Sequence, residues 1–183
     1  MVGNSSPYYR WDYYGRLAGP QIRKRKVLQK MITLRDAIEI KASPEQIIDF
    51  FLNFKENFYA WHPDHVECRY LTPGPLKENS VIYFEEYLHG KLHKLKLHIT
   101  LIKPDSRIEY KTFMSTKGVF VMEPRGTTTL FIAEMHMGSN IPVLGKVIDR
   151  IMLKFLSRQL EGLKQHMAEE GQNLKKILEQ SIP

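Results

Sequence analysis

The sequence predicts an α+β domain in which a curved, seven-stranded antiparallel sheet wraps around a long C-terminal helix. One observation is a series of short strand-like runs separated by turn residues, since such short connections force neighbouring strands to run antiparallel. The other is a change to helical periodicity from about residue 141 onward. A long amphipathic helix must bury its apolar side, and the concave face of the sheet is the only large surface available to it.

The predicted elements begin with a strand at Leu34–Ile40. Ser43 then fits the N-cap of a helix that has Pro44 at its first position. Asn53–Pro63 follows as an aromatic-rich second helix or loop. Six further strands are expected at Val66–Leu71, Val81–Leu88, Leu92–Ile102, Arg107–Phe113, Gly118–Glu123 and Thr127–Met137.

One apolar stripe defines the last helix, because its members recur at steps of three, four and seven residues. They are Leu156, Leu160, Leu163, Met167, Leu174 and Ile177. Gly171 lies within this stretch, where it indicates a bend or a close contact.

Composition indicates one globular domain with a substantial core. The chain has 183 residues, of which 43% are hydrophobic and 26% charged. No run approaches the roughly 20 apolar residues that span a bilayer, and the N-terminus lacks the pattern of a secretory signal. The single cysteine, Cys68, excludes a disulfide within the chain, so we expect a cytoplasmic protein and an inert buried thiol.

Residues 1–31 are predicted to be an N-terminal extension, and residues 32–183 the domain. The formal net charge is +7, with a basic run at residues 23–26 that we interpret as a solvated linker. No zinc-finger spacing or RNA-binding aromatic signature accompanies it, so nucleic acid is not an expected partner. The aromatic residues before it are expected to pack on the domain or on a partner chain, which leaves a homodimer open.

The last helix carries the first candidate metal ligands. His166 and Glu170 are four residues apart, so their side chains share a face one turn apart. Glu170 falls close to the apolar stripe, whereas Glu169 points well away from it. A carboxylate near an apolar stripe is costly unless it is paired or bound to a metal, and this spacing suits zinc. The alternative is a surface glutamate beside a partly exposed histidine.

Two further segments offer possible ligands. If the more apolar face of Val81–Leu88 lies toward the cavity, Glu86 points inward; with the opposite assignment it is Glu85. Trp61-His62-Pro63-Asp64-His65 places two histidines in a rigid turn before a strand. Histidine and glutamate from three separated segments predict a catalytic metal site in one cavity, with either His62 or His65 as the first ligand.

This order of elements resembles that of the START-like (SRPBCC) superfamily, with its helix-grip fold. The W-H-P-x-H cluster, an inward glutamate on a following strand and H-x-x-x-E on the last helix resemble the zinc-dependent diacetylphloroglucinol and phloretin hydrolases. The surrounding run His-Met-Ala-Glu-Glu-Gly-Gln-Asn-Leu also resembles that family's helix. The resemblance implies a zinc ion held by His65, Glu86, His166 and Glu170, with His62 and Glu85 as alternates.

The implied activity is hydrolysis of a carbon–carbon bond in a small phenolic or polyketide-like ketone. Zinc suits this chemistry because it polarises a carbonyl group and lowers the pKa of water. A hydrophobic or aromatic ligand is expected in the cavity, against Trp61, Phe84, Leu163 and Met167. The competing hypotheses are a carrier of a lipid or aromatic ligand without catalysis, and an interaction protein that uses residues 1–31.

Several other polar residues leave alternatives open. Glu134 and His136 alternate on the last strand, where they could supply ligands or orient a metal-bound histidine. A tyrosine such as Tyr110 could hydrogen-bond a ligand, although strand tyrosines are more often packing residues. The chain has no nucleophile elbow, P-loop, dinucleotide fingerprint or C-x-x-C motif, so the corresponding enzyme classes are not indicated.

Overall fold

A computed structural model describes residues 32–112, 116–137 and 145–180, with the backbone alone over residues 145–159. The predicted extension, residues 1–31, lies outside the described residues. The elements are β1 (Ile32–Ile40), α1 (Pro44–Leu52), α2 (Phe54–Trp61), β2 (His65–Tyr70), β3 (Val81–Leu88), β4 (Lys91–Lys103), β5 (Arg107–Thr112), β6 (Lys117–Arg125), β7 (Thr128–Met137) and α3 (Gly145–Gln180). The predicted fold class is confirmed.

All seven strands belong to one antiparallel sheet with the order β1-β7-β6-β5-β4-β3-β2. The strand bounds agree with the predicted ones to within two residues, and those of β3 agree at both ends. The aromatic-rich segment that was left as a helix or a loop forms the helix α2. The helices α1 and α2 therefore connect β1 and β2, which are the two edge strands of the sheet.

Local chemistry fixes the start of α1. The hydroxyl of Ser43 accepts the backbone N–H of Gln46, and the side-chain oxygen of Gln46 accepts the backbone N–H of Ser43. This capping box satisfies two N–H groups that the first turn would otherwise leave without partners. Pro44 follows at the first helical position, where its missing N–H costs nothing.

The core lies between the concave face of the sheet and the three helices. Phe51 from α1 stacks on Phe120 and Phe131, with ring centroids 4.7 Å and 5.7 Å away, and meets the indole of Trp61 edge-on at 5.4 Å. Such aromatic contacts add to the free energy of burial. Phe51, Trp61 and Phe120 form part of the wall of a cavity of about 110 Å³ inside the domain.

The C-terminal half of α3 lies against β1. The Lys175 ammonium donates to the backbone carbonyl of Glu39 (2.8 Å), and the Glu179 carboxylate accepts the backbone N–H of Lys41 (2.8 Å). Gly171 supplies the predicted close contact, because a Cβ there would lie 3.1 Å from Oδ2 of Asp36. The preceding residue of the helix, Glu170, lines the cavity. Within the described residues, no helix is long and apolar enough to cross a bilayer.

Candidate metal centre and ligand cavity

Sheet register brings the first pair of candidate ligands together. His65 begins β2 and is paired with Glu86 of β3, next to an irregularity in the ladder between His65 and Glu67. Side chains alternate along a strand, so Glu86 shares its face with Ile82 and Phe84. All three line the cavity. The β2–β3 ladder therefore presents an imidazole and a carboxylate at one end of an apolar face.

The second pair comes from α3, where His166 and Glu170 lie one turn apart. Two hydrogen bonds fix this turn against the end of α2. The indole N–H of Trp61 donates to the backbone carbonyl of Glu170 (3.0 Å), and the Asn173 amide donates to the carbonyl of Trp61 (3.0 Å). We call these two bonds the Trp61–Asn173 clamp. The clamp holds the helical pair close to the loop that leads to His65.

The four side chains meet at short range. The Nε2 atom of His65 lies 3.3 Å from Oε1 of Glu170 and 3.8 Å from Oε2 of Glu86. The Nε2 atom of His166 lies 3.7 Å from both of these carboxylate oxygens. Among the described residues, the two Nε2 atoms are the only buried side-chain nitrogen or oxygen atoms without a hydrogen-bond partner. Buried polar groups normally have partners, so this pair of nitrogens calls for an explanation.

The tautomer of His65 is set by its other ring nitrogen. Nδ1 lies 2.7 Å from the backbone carbonyl of Phe58, which can only accept, so Nδ1 carries the proton. The imidazole also stacks on the Phe58 ring, with centroids 4.0 Å apart and planes within 5° of parallel. The unprotonated Nε2 therefore directs its lone pair at the two carboxylates. This is the usual arrangement of a metal-binding histidine, whose outer nitrogen donates to a carbonyl or carboxylate.

His62 lies beside this group but has both ring nitrogens engaged. Its Nδ1 accepts the backbone N–H of Asp64 (3.1 Å), and its Nε2 donates to Oε2 of Glu169 (3.1 Å). Ring nitrogens of His62, His65 and His166 all lie within 4.8 Å of one another, so a three-histidine set is also close in space. Ligation by His62 would require breaking one of its hydrogen bonds, whereas His65 has a free lone pair.

Burial perturbs the titration of these groups in the metal-free protein. It raises the pKa of Glu170 to about 8, against an opposing effect of His166. Burial lowers the pKa of His65, although the Phe58 carbonyl offsets part of the effect. For His166 burial acts in the same direction, but the Glu86 and Glu170 carboxylates outweigh it and the pKa is raised. A carboxyl and two imidazoles with displaced pKa values in one cavity are typical of a functional site.

The donor atoms of the four side chains, and their short nitrogen–oxygen separations, suit a small divalent cation. For zinc bound tetrahedrally at about 2.0–2.1 Å, neighbouring ligand atoms are separated by roughly 3.3–3.4 Å. The four separations between an imidazole nitrogen and a carboxylate oxygen, 3.3–3.8 Å, are at or slightly above this value. Imidazole nitrogens and carboxylate oxygens are both common zinc ligands. The residues present therefore fit the ion that the sequence resemblance implies.

The remaining polar candidates have other partners. Glu85, on the opposite face of β3, pairs with the ammonium of Lys94 at 2.9 Å and accepts the hydroxyl of Tyr83. Glu134 borders the cavity on β7, but its carboxylate contacts both Arg35 and His136, each at 3.3 Å. Glu85, Glu134 and His136 thus have ion-pair partners other than His65 and His166.

The cavity extends from the four side chains into the apolar interior. Its lining includes all four predicted ligand-binding residues, Trp61, Phe84, Leu163 and Met167. Phe58, Phe120 and Tyr110 complete the aromatic part of the wall. An engineered apolar cavity of about 150 Å³ holds a benzene molecule, so this space is of the order needed by a single aromatic ring. Cys68 is buried, and burial raises the pKa of its thiol to about 12, as expected for an inert cysteine.

Two residues that hydrogen-bond to the histidines of the site, Glu169 and Phe58, were not predicted from the sequence to do so. Glu169 points away from the apolar stripe, as expected, and on that exposed side its carboxylate contacts Nε2 of His62 at 3.1 Å and accepts the side-chain amide of Gln165 at 2.8 Å. His62, in the segment before β2, contacts α3 at Glu169. Helical periodicity alone does not predict this contact between distant segments. Phe58 contributes its backbone carbonyl to His65, and a backbone contact leaves no signal in residue type.

Comparison with known proteins identifies the fold and family. A family model described as polyketide cyclase / dehydrase and lipid transport matches residues 31–168. No curated relative matches the chain by sequence. The START-like part of the predicted resemblance is thereby confirmed. The closer resemblance to the zinc-dependent hydrolases is not addressed by these matches and stays a prediction.

Solved structures show the same fold at low sequence identity. TTHA0849 from Thermus thermophilus is 13% identical with a TM-score of 0.63, over 83% of this chain and 100% of that one. Major latex-like protein 151 from Panax ginseng is 11% identical with a TM-score of 0.61, over 84% and 99%. The Zhui aromatase/cyclase from Streptomyces sp. R1128 is 10% identical with a TM-score of 0.56, over 80% and 96%. At these identities the likeness concerns the fold alone.

Proposed function

The chain belongs to the polyketide cyclase / dehydrase and lipid transport family, and on that premise we propose that it is a zinc-dependent hydrolase. Its ligands are His65, Glu86, His166 and Glu170, and its substrate is a small phenolic or polyketide-like ketone. The bond that it cleaves joins the acyl carbon to the aromatic ring. The hydroxyl of water is transferred to the acyl carbon, giving a carboxylic acid, and a proton replaces the acyl group on the ring.

One observation carries the proposal. The two Nε2 atoms of His65 and His166 are buried without hydrogen-bond partners and face two carboxylates at 3.3–3.8 Å. Leaving such groups unpaired costs about 1–3 kcal/mol each. A divalent cation would give both nitrogens and both carboxylates a partner at once. It would also explain why two carboxylates are placed together inside an otherwise apolar cavity.

The proposed chemistry depends on the position of the four candidate ligands, which line the cavity. When bound, zinc polarises a carbonyl oxygen and lowers the pKa of a water molecule. The aromatic side chains of Phe58, Trp61 and Phe84 line the adjoining space and would hold the ring while excluding bulk water. Exclusion of water strengthens electrostatic interactions at the reacting carbonyl. A phenolic ring assists the cleavage, because its keto tautomer can accept the electron pair of the broken bond.

The first test is the metal content of the purified protein, measured by elemental analysis without chelator treatment. We expect about one zinc ion per chain in the wild type and a loss of zinc in His65→Ala and in the double variant His166→Ala/Glu170→Ala. His62→Ala should retain zinc, because the nitrogens of His62 are already engaged. Replacement of the exposed His93 by alanine is the matched control. Zinc that survives in the double variant would overturn the proposed ligand set.

The second test is release of a carboxylic acid from a panel of hydroxylated aryl ketones. Zinc-loaded wild type should produce the acid and the free phenol in equal amounts, and the zinc-free ligand variants should not. A carrier of a lipid or aromatic ligand is the other candidate, since the cavity is largely apolar. A carrier would contain no zinc and would copurify with an apolar molecule detectable by mass spectrometry. That outcome would replace the hydrolase proposal.

A further inference from the structure

Tyr110 is a polar cavity residue that the proposed metal site does not use. It lies on β5, where Ile108, Tyr110 and Thr112 alternate onto the face that lines the cavity. Its ring packs against Phe120, with centroids 5.5 Å apart. Within the described part of the chain its hydroxyl has no hydrogen-bond partner, and it is not one of the fully enclosed unpaired atoms, so it is open to the cavity. A tyrosine hydroxyl inside a protein normally has a partner, so this one is available to a ligand.

The position of the Tyr110 ring depends on a glycine in the neighbouring strand. Sheet register pairs Tyr110 with Gly118 of β6. A Cβ at position 118 would lie 1.9 Å from Cζ of Tyr110 and 2.4 Å from both of its Cε atoms. Any side chain there would occupy the space of the ring, so the tyrosine can lie across β6 only because residue 118 is glycine. Aromatic side chains are known to cover glycines on adjacent strands in this way.

We propose that the Tyr110 hydroxyl, held in place by the missing side chain of Gly118, donates a hydrogen bond to the ring oxygen of a phenolic ligand. Tyr110 lines the same cavity as Glu86 and Glu170. A ketone oxygen directed at these ligands would leave the ring oxygens to be recognised by another group. Tyr110 selects a hydroxylated ring, and Gly118 is the positioning residue. The inference rests on the proposed function for the phenolic class of the ligand.

The test uses phenol and toluene as probes, because phenol carries a hydroxyl group where toluene carries a methyl group of similar size. Neither contains a ketone, so neither can be hydrolysed, and binding is measured by ligand-observed NMR on the metal-free full-length chain. Tyr110→Phe should lower the affinity for phenol by about 5- to 10-fold and leave that for toluene within about twofold. The matched control is Tyr83→Phe, whose hydroxyl is bonded to Glu85; it should change neither affinity.

Gly118→Ala should reproduce the selective loss of phenol binding with Tyr110 still present, because the new methyl group displaces the ring. A purely structural glycine would instead affect both probes alike. The inference is overturned if Tyr110→Phe weakens phenol and toluene equally, or weakens neither. Zinc content and ketone cleavage are separate measurements, so failure of the hydrolase proposal leaves this result interpretable.

Discussion

At the scale of single residues, Glu170 connects the chemistry of the site with the stability of the protein. Its carboxyl has a pKa of about 8 in the metal-free folded protein, against 4.5 for an ordinary glutamate. Between these values the folded protein holds a proton that the unfolded chain releases. The free energy of unfolding of the metal-free protein therefore falls as the pH rises through this range. A bound cation would instead favour the deprotonated form of Glu170, because a carboxyl group must lose its proton to bind a metal.

Glu170→Gln is accordingly expected to have opposite effects with and without zinc. At pH 8 in chelator, the neutral amide avoids burying a charge, and the melting temperature should rise by about 3 °C or more relative to the wild type. With zinc present, the wild type should be the more stable protein. At pH 5 without metal the two should melt close together, since Glu170 is then protonated. A variant that is no more stable than the wild type at pH 8 in chelator would contradict this reading.

The candidate residues show what sequence patterns can and cannot predict. Strand alternation predicts that Glu86 shares a face with Phe84, and helical spacing predicts that His166 and Glu170 share another. Both patterns are local, and the structure has the same local geometry. The hydrogen-bond partners of His62 and His65 depend instead on how the loop before β2 meets α3 and α2. Contacts of that kind arise from tertiary packing and have no period in the sequence.

At the scale of elements, the Trp61–Asn173 clamp sets the distance between the two pairs of candidate ligands. Its hydrogen bonds join the end of α2 to α3, one residue before His62 on one side and at Glu170 on the other. The candidate ligand atoms on β2 and β3 are fixed by sheet pairing, whereas the candidate ligand atoms on α3 depend on how the helix is docked. Small displacements matter here because zinc requires its ligands at about 2.0–2.2 Å.

Asn173→Ala should therefore weaken zinc binding although residue 173 is not a ligand. We expect the affinity to fall by about 10-fold, the lower end of the effect of removing an outer partner of a metal site. The measurement is a competition titration with a chromophoric chelator. Gln172→Ala, a truncation of an exposed neighbour on the same helix, should leave the affinity unchanged. Equal affinities for the two variants would show that the clamp does not position the ligands.

The register between β5 and β6 has a similar effect on the cavity. It places the side chain of Tyr110 beside Gly118, so that one strand supplies a ring and the next supplies the room for it. From the sequence, Tyr110 was one of several strand tyrosines, and nothing distinguished it from Tyr83. The pairing of strands distinguishes them, because the Tyr83 hydroxyl is bonded to Glu85 while Tyr110 lines the cavity.

At the scale of the whole molecule, the candidate metal centre joins parts of the fold that are distant in sequence. His65, Glu86 and the His166/Glu170 pair come from β2, β3 and α3. Without a cation, two buried carboxyl groups lie close together at this junction, and Glu170 must stay protonated to avoid an uncompensated charge. A cation bound to all four side chains would instead join β2 and β3 to α3.

Zinc should for this reason stabilise the whole domain. At 100-fold excess over its dissociation constant, a ligand specific for the folded state adds about 2.7 kcal/mol, which corresponds to a rise in melting temperature of roughly 5–10 °C for a chain of this size. Hydrogen exchange should slow most in β2, β3 and the last turns of α3. His65→Ala should abolish the rise, because it removes one free lone pair while leaving the clamp between α2 and α3 intact. An equal rise in that variant would mean that the ion acts elsewhere on the protein.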